Sequence, residues 1–243
     1  MLAHAVKHVE VSSPPGVRIA WRPTVTQICR LAFAVQSTGA PPDWVTLPVT
    51  LPSSPVARAH PLKIQFQGFL GFGDLRMAEE ISRGHIYAVE ADRECFDLLV
   101  RNASENDAKN ITPINRAAWN DESELELESG FAQANSLVKE VHQAETTQLV
   151  RTTTIDLLVS EYGIEKLDMI SLTLNGAEVE TLEAAGETLS RLRPRIRLAG
   201  WYSRGGRKIW EITKQQLEAH GYEVFVGDRG NLMALPRNAE VMR

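Results

Sequence analysis

Cysteine is nearly absent from this chain of 243 residues: Cys29 and Cys95 stand far apart and in no metal-like spacing. Two such residues neither staple a small secreted domain nor outline a zinc site, so both read as buried free thiols. The histidines His4, His8, His60, His85, His142 and His220 are scattered and show no H-x-x-H pair. No metal is expected. Long apolar runs are missing too: the longest, residues 28–35, is broken by Arg30 and is far too short to span a bilayer. Residues 1–10 mix His, Lys and Glu with short apolar pairs and lack the continuous apolar core of a signal peptide. The expectation is a cytoplasmic chain with no membrane span. Excess basic charge is likewise lacking, with 26 Lys and Arg against 31 Asp and Glu, a net charge of -5 and a pI near 5.7. A nucleic-acid partner, which needs a concentrated basic face, is not expected.

What is present is a globular composition, 43% hydrophobic and 23% charged, at a length that buries one substantial core. Nine of the 12 prolines fall between Pro14 and Pro61, which separates a Pro-rich N-terminal appendage (1–61) of short strands and a helix from the domain at 62–243. From residue 62 onward, short apolar runs alternate with helical stretches, the mark of a mainly parallel sheet with crossover helices. Strands are expected at 62–67, 86–90, 111–115, 169–174 and 196–200. Helices are expected at 74–83, 93–105 (Phe96, Leu99 and Val100 inward), 155–161 and 209–220, with helical turns re-aimed at Gly186 within 177–191. Residues 124–127 and 149–153 read as an extra strand pair around a polar insertion. A hairpin from 222–226 and 232–235 closes the chain.

Ligands of open parallel sheets sit beyond the C-terminal ends of the strands. After the first strand, residues 67–74 read QGFLGFGD, where Gly68, Gly71 and Gly73 let the backbone turn tightly and approach a ligand. Glu90 ends the second strand, followed by Ala91, and an acid at this point can accept both hydroxyls of a ribose. After the third strand, Asn115 and Ala117 stand at the same end of the sheet. Thr154 or Asp156 can cap a helix. Tyr162 and Lys166 form a Y-x-x-x-K, but Gly163 interrupts it and the glycine spacing is wrong, so a nicotinamide oxidoreductase ranks last. The cluster Arg191, Arg193, Arg195, Arg197, Arg204, Arg207 and Lys208 reads first as a solvated face and second as an anion site.

Residues 167–178, LDMISLTLNGAE, resemble the L-K-I-D-V-E-G-A-E segment of FkbM-type methyltransferases. Gly176, Ala177 and Glu178 are unchanged, whereas Ser171, Thr173 and Asn175 stand where the family has Lys, Asp and Glu. The resemblance runs through roughly residues 62–236, including Glu90, residues 150–156, Pro194 and Gly221-Tyr222. It implies a doubly wound α/β fold with a mainly parallel seven-stranded sheet of the class I methyltransferase (Rossmann-like) type and a C-terminal antiparallel hairpin. It also implies S-adenosylmethionine as cofactor, held by Gly68, Gly71, Gly73, Glu90, Ala91, Asn115 and Ala117, and a catalytic end at Thr173, Asn175 and Glu178.

The chain departs from the family at three strand ends. Phe66 or Phe69 occupies the place of the acid before the first glycine, with Asp74 as a substitute or a helix N-cap. The first two acids of the signature are gone, and the E-x-H after r-P-x-i is replaced by Ala199-Gly200-Trp201. Thr173 and Asn175 cannot act as bases near neutral pH. Two functions follow: O-methylation of a small-molecule or sugar-like hydroxyl, or a catalytically inactive binding or assembly subunit of the same fold. The partners to match are a small-molecule acceptor, a protein, or a second copy of the chain in a homo-oligomer.

Overall fold

The computed structural model describes residues 61–66, 72–129, 135–139 and 146–237. All but the last residue of the appendage, together with Gly68, Gly71 and Cys29, lies outside the described residues. From there the chain alternates as expected. It forms β1 (Leu62–Phe66), α1 (Phe72–Glu80), β2 (His85–Val89), α2 (Arg93–Glu105) and β3 (Ile111–Ile114). Short β4 (Ala117–Ala118) and the longer β5 (Glu124–Ser129) and β6 (Thr146–Thr153) come next, then α3 (Ile155–Glu161) and β7 (Met169–Leu172). Two short helices, α4 (Glu178–Glu183) and α5 (Gly186–Arg191), lead to β8 (Arg195–Ala199). The small pair β9 (Ser203–Arg204) and β10 (Arg207–Lys208) precedes α6 (Ile209–Ala219), and β11 (Tyr222–Val226) and β12 (Asn231–Pro236) end the described chain.

Seven strands form one sheet in the order β11-β12-β8-β7-β1-β2-β3. β1 pairs in parallel with both β2 and β7, so the strand order reverses beside it. β12 runs antiparallel to β8 and to β11, as the terminal hairpin requires. This is the expected doubly wound class I methyltransferase sheet. A separate three-stranded sheet, β4-β6-β5, pairs β5 and β6 antiparallel from Glu124↔Arg151 to Ser129↔Thr146.

Alternation of side chains divides the core in two. Ile64, Phe66, Ile170, Leu172, Ile196 and Leu198 point toward α3 to α6 and bury against Ile155, Leu158, Leu182, Leu189 and Leu217. Ile86, Ala88 and Ile111 point to the opposite face, under Leu75 and Ala78 of α1 and Leu99 of α2. Each such aliphatic side chain contributes about 1.5 to 3 kcal/mol by leaving water.

Three details differ from the sequence reading. The inward seam of α2 is Cys95, Leu99, Asn102 and Ala103, while Val100 is 40% exposed, because positions 95, 99, 102 and 103 share one face at helical spacing. Asp74 is no N-cap: α1 begins at Phe72, which puts Gly73 and Asp74 in its first turn. β4 and the β9–β10 hairpin were not expected, since two-residue strands carry no readable alternation. The end of β8 is closed by α6. A Cβ on Gly200 would lie 2.7 Å from both the backbone nitrogen and the Cβ of Trp210, so only glycine admits this approach.

Candidate functional site

The reversal of strand order at β1 opens a crevice between diverging connections, where such sheets take ligands. A cleft of about 500 Å³, open mouth included, lies there, and its floor comes from the ends of β1, β2 and β7. Phe66, Val89, Glu90 and Ala91 line one side, Arg116, Ala117 and Ala118 a second, and Thr173, Leu174 and Ala177 a third. Leu127, Asn135 and Leu137 complete the lining from the β5–β6 unit and the segment beside it.

Glu90 is 6% exposed, one residue past the end of β2, because the strand that carries it is paired on both sides. Its Oε1 accepts the N–H of Asp92 at 2.9 Å, which orients the carboxylate along the cleft wall. Asn115 is tied to the same place: its side-chain amide donates to the carbonyls of Glu90 at 2.9 Å and Ala91 at 3.2 Å. Asn115 is absent from the lining, and these two bonds fasten the end of β3 to the end of β2. Ala117 is buried in the wall and leaves space that a larger side chain would fill. Arg116 sits at the mouth, bound through both terminal nitrogens to Glu161 at 2.6 and 3.2 Å.

At the other end of the cleft the three positions expected to do chemistry separate. Thr173 lines the cleft. Asn175 is 3% exposed, outside the lining, and adopts a left-handed backbone with φ of 53°. Its amide donates to the carbonyl of Asn135 at 2.9 Å, and its own carbonyl accepts the Ser136 hydroxyl at 2.8 Å. Glu178 is fully buried beneath the loop, where Oε1 accepts the N–H of Leu174 at 2.7 Å and Oε2 that of Gly176 at 2.9 Å. Burial pushes its carboxyl up to about 7, against the opposing pull of these backbone donors. Glu178 therefore shapes the loop after β7 from below and presents no oxygen to the cleft.

Asp74, weighed as a substitute acid, also lies away from the lining. It is buried beside Lys63 with Oδ1 unpartnered, and burial raises it to about 6 despite the lysine. Ser171 is fully buried in the middle of β7, in register with Gln65 and Arg197. Gly73 lies in the first turn of α1, and Gly68 and Gly71 lie outside the described residues. Among the described residues, no group of three or more His, Cys, Asp and Glu is placed to hold a metal. None of their helices is long and apolar enough to cross a membrane.

Sequence reasoning missed the members that arrive from afar. Asn135 and Leu137 belong to a polar insertion with no periodicity, and Leu127 was read only as the end of an extra strand. Asp92 was unnoticed as a hub: one oxygen caps α2 through the Cys95 N–H at 2.9 Å, and the other accepts the side-chain amides of Asn135 and Gln148. The one available signal was an Asp directly before a helical period, which marks an N-cap.

Residues 72–233 match the profile of the methyltransferase FkbM domain. Among solved structures, the methyltransferase FkbM of Methylobacillus flagellatus KT superposes with a TM-score of 0.53 at 15% identity, over 75% of this chain and 45% of that one. The present chain thus spans less than half the length of that protein. A precorrin-6y C5,15-methyltransferase of Geobacter metallireducens GS-15 gives 0.42 at 14% identity, over 73% and 81% of the two chains. The fibrillarin of Aeropyrum pernix, solved with natively bound S-adenosyl-L-methionine, gives 0.44 at 15% identity, over 72% and 65%. No curated protein sequence matches significantly.

Proposed function

The chain belongs to the FkbM methyltransferase family, and from that premise we propose that it binds S-adenosylmethionine and methylates a hydroxyl of a small-molecule or sugar-like acceptor. The observation that carries this reading is Glu90, a buried carboxylate held at the β2 end inside the cleft. An anionic acceptor at that position suits the two hydroxyls of a ribose, each bond to a charged oxygen contributing about 1.5 to 3 kcal/mol. Ala91, Ala117 and Ala118 suit a flat base by their small size, and Asn115 supports this wall by joining the two strand ends. The described residues therefore fit the nucleoside half of the cofactor.

Bound there, the cofactor supplies an electrophilic methyl group. The chain's own task is to bring a nucleophile into line with it and to exclude water, which Phe66, Leu127, Leu137 and Leu174 favour by their apolar lining. Thr173 orients an acceptor by hydrogen bonding and removes no proton near neutral pH, so the hydroxyl proton passes to solvent water at the open mouth as the methyl is transferred.

A second reading, a catalytically inactive member serving as a binding or assembly subunit, is favoured by one arrangement. Of the three positions at the catalytic end, Thr173 alone lines the cleft, while Asn175 and Glu178 are engaged by backbone groups. Titration calorimetry with S-adenosylhomocysteine separates the outcomes. Binding is expected, and Glu90→Gln weakens it by about tenfold or more, because a neutral amide replaces a charged acceptor. No binding at millimolar ligand sinks the enzyme reading. Label transfer from methyl-labelled S-adenosylmethionine to any of a panel of monosaccharides and phenols sinks the inactive reading.

A further inference from the structure

Residues 135–139 run beside the cleft, and their first two members, Asn135 and Ser136, are tied to both of its ends. At the nucleoside end the Asn135 side chain donates to Asp92 Oδ2 at 2.9 Å. At the opposite end the Asn175 amide donates to the Asn135 carbonyl, and the Ser136 hydroxyl donates to the Asn175 carbonyl. Ser136 also exchanges both backbone bonds with Glu128 at 2.8 and 3.2 Å, and its oxygen accepts the Val138 N–H at 2.9 Å. Next to these ties Leu137 packs against the cluster of Ala117, Leu127 and Val150, and Asn135 and Leu137 both line the cleft.

We propose that Asn175 is a positioning residue: its carboxamide holds this strap in place, so that Asn135 and Leu137 close over the nucleoside end of the cleft. The proposal rests on the cofactor reading for the naming of the nucleoside end and for the ligand used in its test. The geometry specifies an amide. The side chain must donate to a carbonyl, which a carboxylate cannot do, and the backbone must accept a positive φ, which Asn tolerates better than most residues. Through Asn135 the same strap reaches Asp92, two residues from Glu90, so the loop after β7 and the Glu90 carboxylate are joined through the side chains of Asn175, Asn135 and Asp92 and the Asp92 N–H.

Two substitutions separate the amide from the backbone. Asn175→Gly keeps the left-handed turn and removes the amide, and Asn175→Asp turns the donor into an acceptor facing a carbonyl. Amide hydrogen exchange of the ligand-free protein is expected to speed up at 135–139 in both variants, with the exchange of β1 and β7 unchanged. Calorimetry is expected to show S-adenosylhomocysteine binding weakened by about tenfold, the loss of one buried hydrogen bond. Asn135→Ala, which cuts the Asp92 tie from the other end, is expected to weaken binding similarly. Unchanged exchange at 135–139 in Asn175→Gly overturns the proposal, as does faster exchange with unaltered affinity. If the unsubstituted protein binds no S-adenosylhomocysteine, the cofactor reading falls, while hydrogen exchange still decides whether Asn175 holds the strap.

Discussion

Glu178 shows how an unchanged residue of a signature can have a structural task. Its carboxyl is fully buried and accepts the N–H groups of Leu174 and Gly176, two donors that the turn after β7 leaves without strand partners. A buried donor without an acceptor costs about 1 to 3 kcal/mol, so deleting the carboxyl strands two such groups at once. Glu178→Ala is expected to lower the unfolding free energy by roughly 3 kcal/mol. Glu178→Gln keeps one acceptor but turns an NH2 group toward a donor, and roughly half that loss is expected. Urea unfolding of the two variants checks the order. A Glu178→Ala protein as stable as the parent would remove the structural role and return the residue to catalysis.

The helices show where local chemistry was enough and where it was not. Thr154 begins α3 as the sequence suggests, its hydroxyl accepting the Leu157 N–H at 3.0 Å. Asp156, the other candidate cap for α3, serves a different helix: its two oxygens accept the N–H groups of Glu187 and Thr188 at 3.0 and 2.8 Å, at the start of α5. This explains how a helix opening at Gly186 is held without a capping side chain of its own. Thr154→Ala is expected to cost about 1 kcal/mol and Asp156→Ala about 1 to 2 kcal/mol. Native-state hydrogen exchange distinguishes them, with α5 opening more readily only in the Asp156 variant. Equal effects on α5 would contradict the assignment.

The same distinction governs the site. That Glu90, Ala91, Ala117 and Thr173 line one cleft was legible because strand ends are legible, and a parallel sheet puts its strand ends together. Asn115 and Asn175 were legible as amides, but their partners, the Glu90 and Asn135 carbonyls, are set by tertiary packing. Asn135 and Leu137 had no local pattern at all, since their places depend on Asp92 and on pairing with Glu128.

At the scale of the whole molecule, two buried acids among the described residues contribute to the response to pH. Burial raises Asp74 to about 6, with Lys63 opposing, and Glu178 to about 7, with its backbone donors opposing and Glu180 adding to the rise. Their ordinary values are 3.8 and 4.5, so between about pH 4 and 7 the folded protein holds protons that the unfolded chain has released. Stability then falls as pH rises through that window, and each carboxyl contributes on the order of 3 kcal/mol of the loss by the linkage relation. His85 works in the opposite direction, because burial lowers its value and the folded state favours the neutral ring. Lys63, lowered by burial and by Arg197 against the pull of Asp74, opposes it too at higher pH. Difference measurements isolate the acids. Urea unfolding at pH 5 and pH 8 is expected to show the larger drop in the parent protein, a smaller one in Asp74→Asn or Glu178→Gln, and the smallest in the double variant. A double variant that loses as much stability as the parent between these pH values would show that neither carboxyl carries a raised value in the folded state.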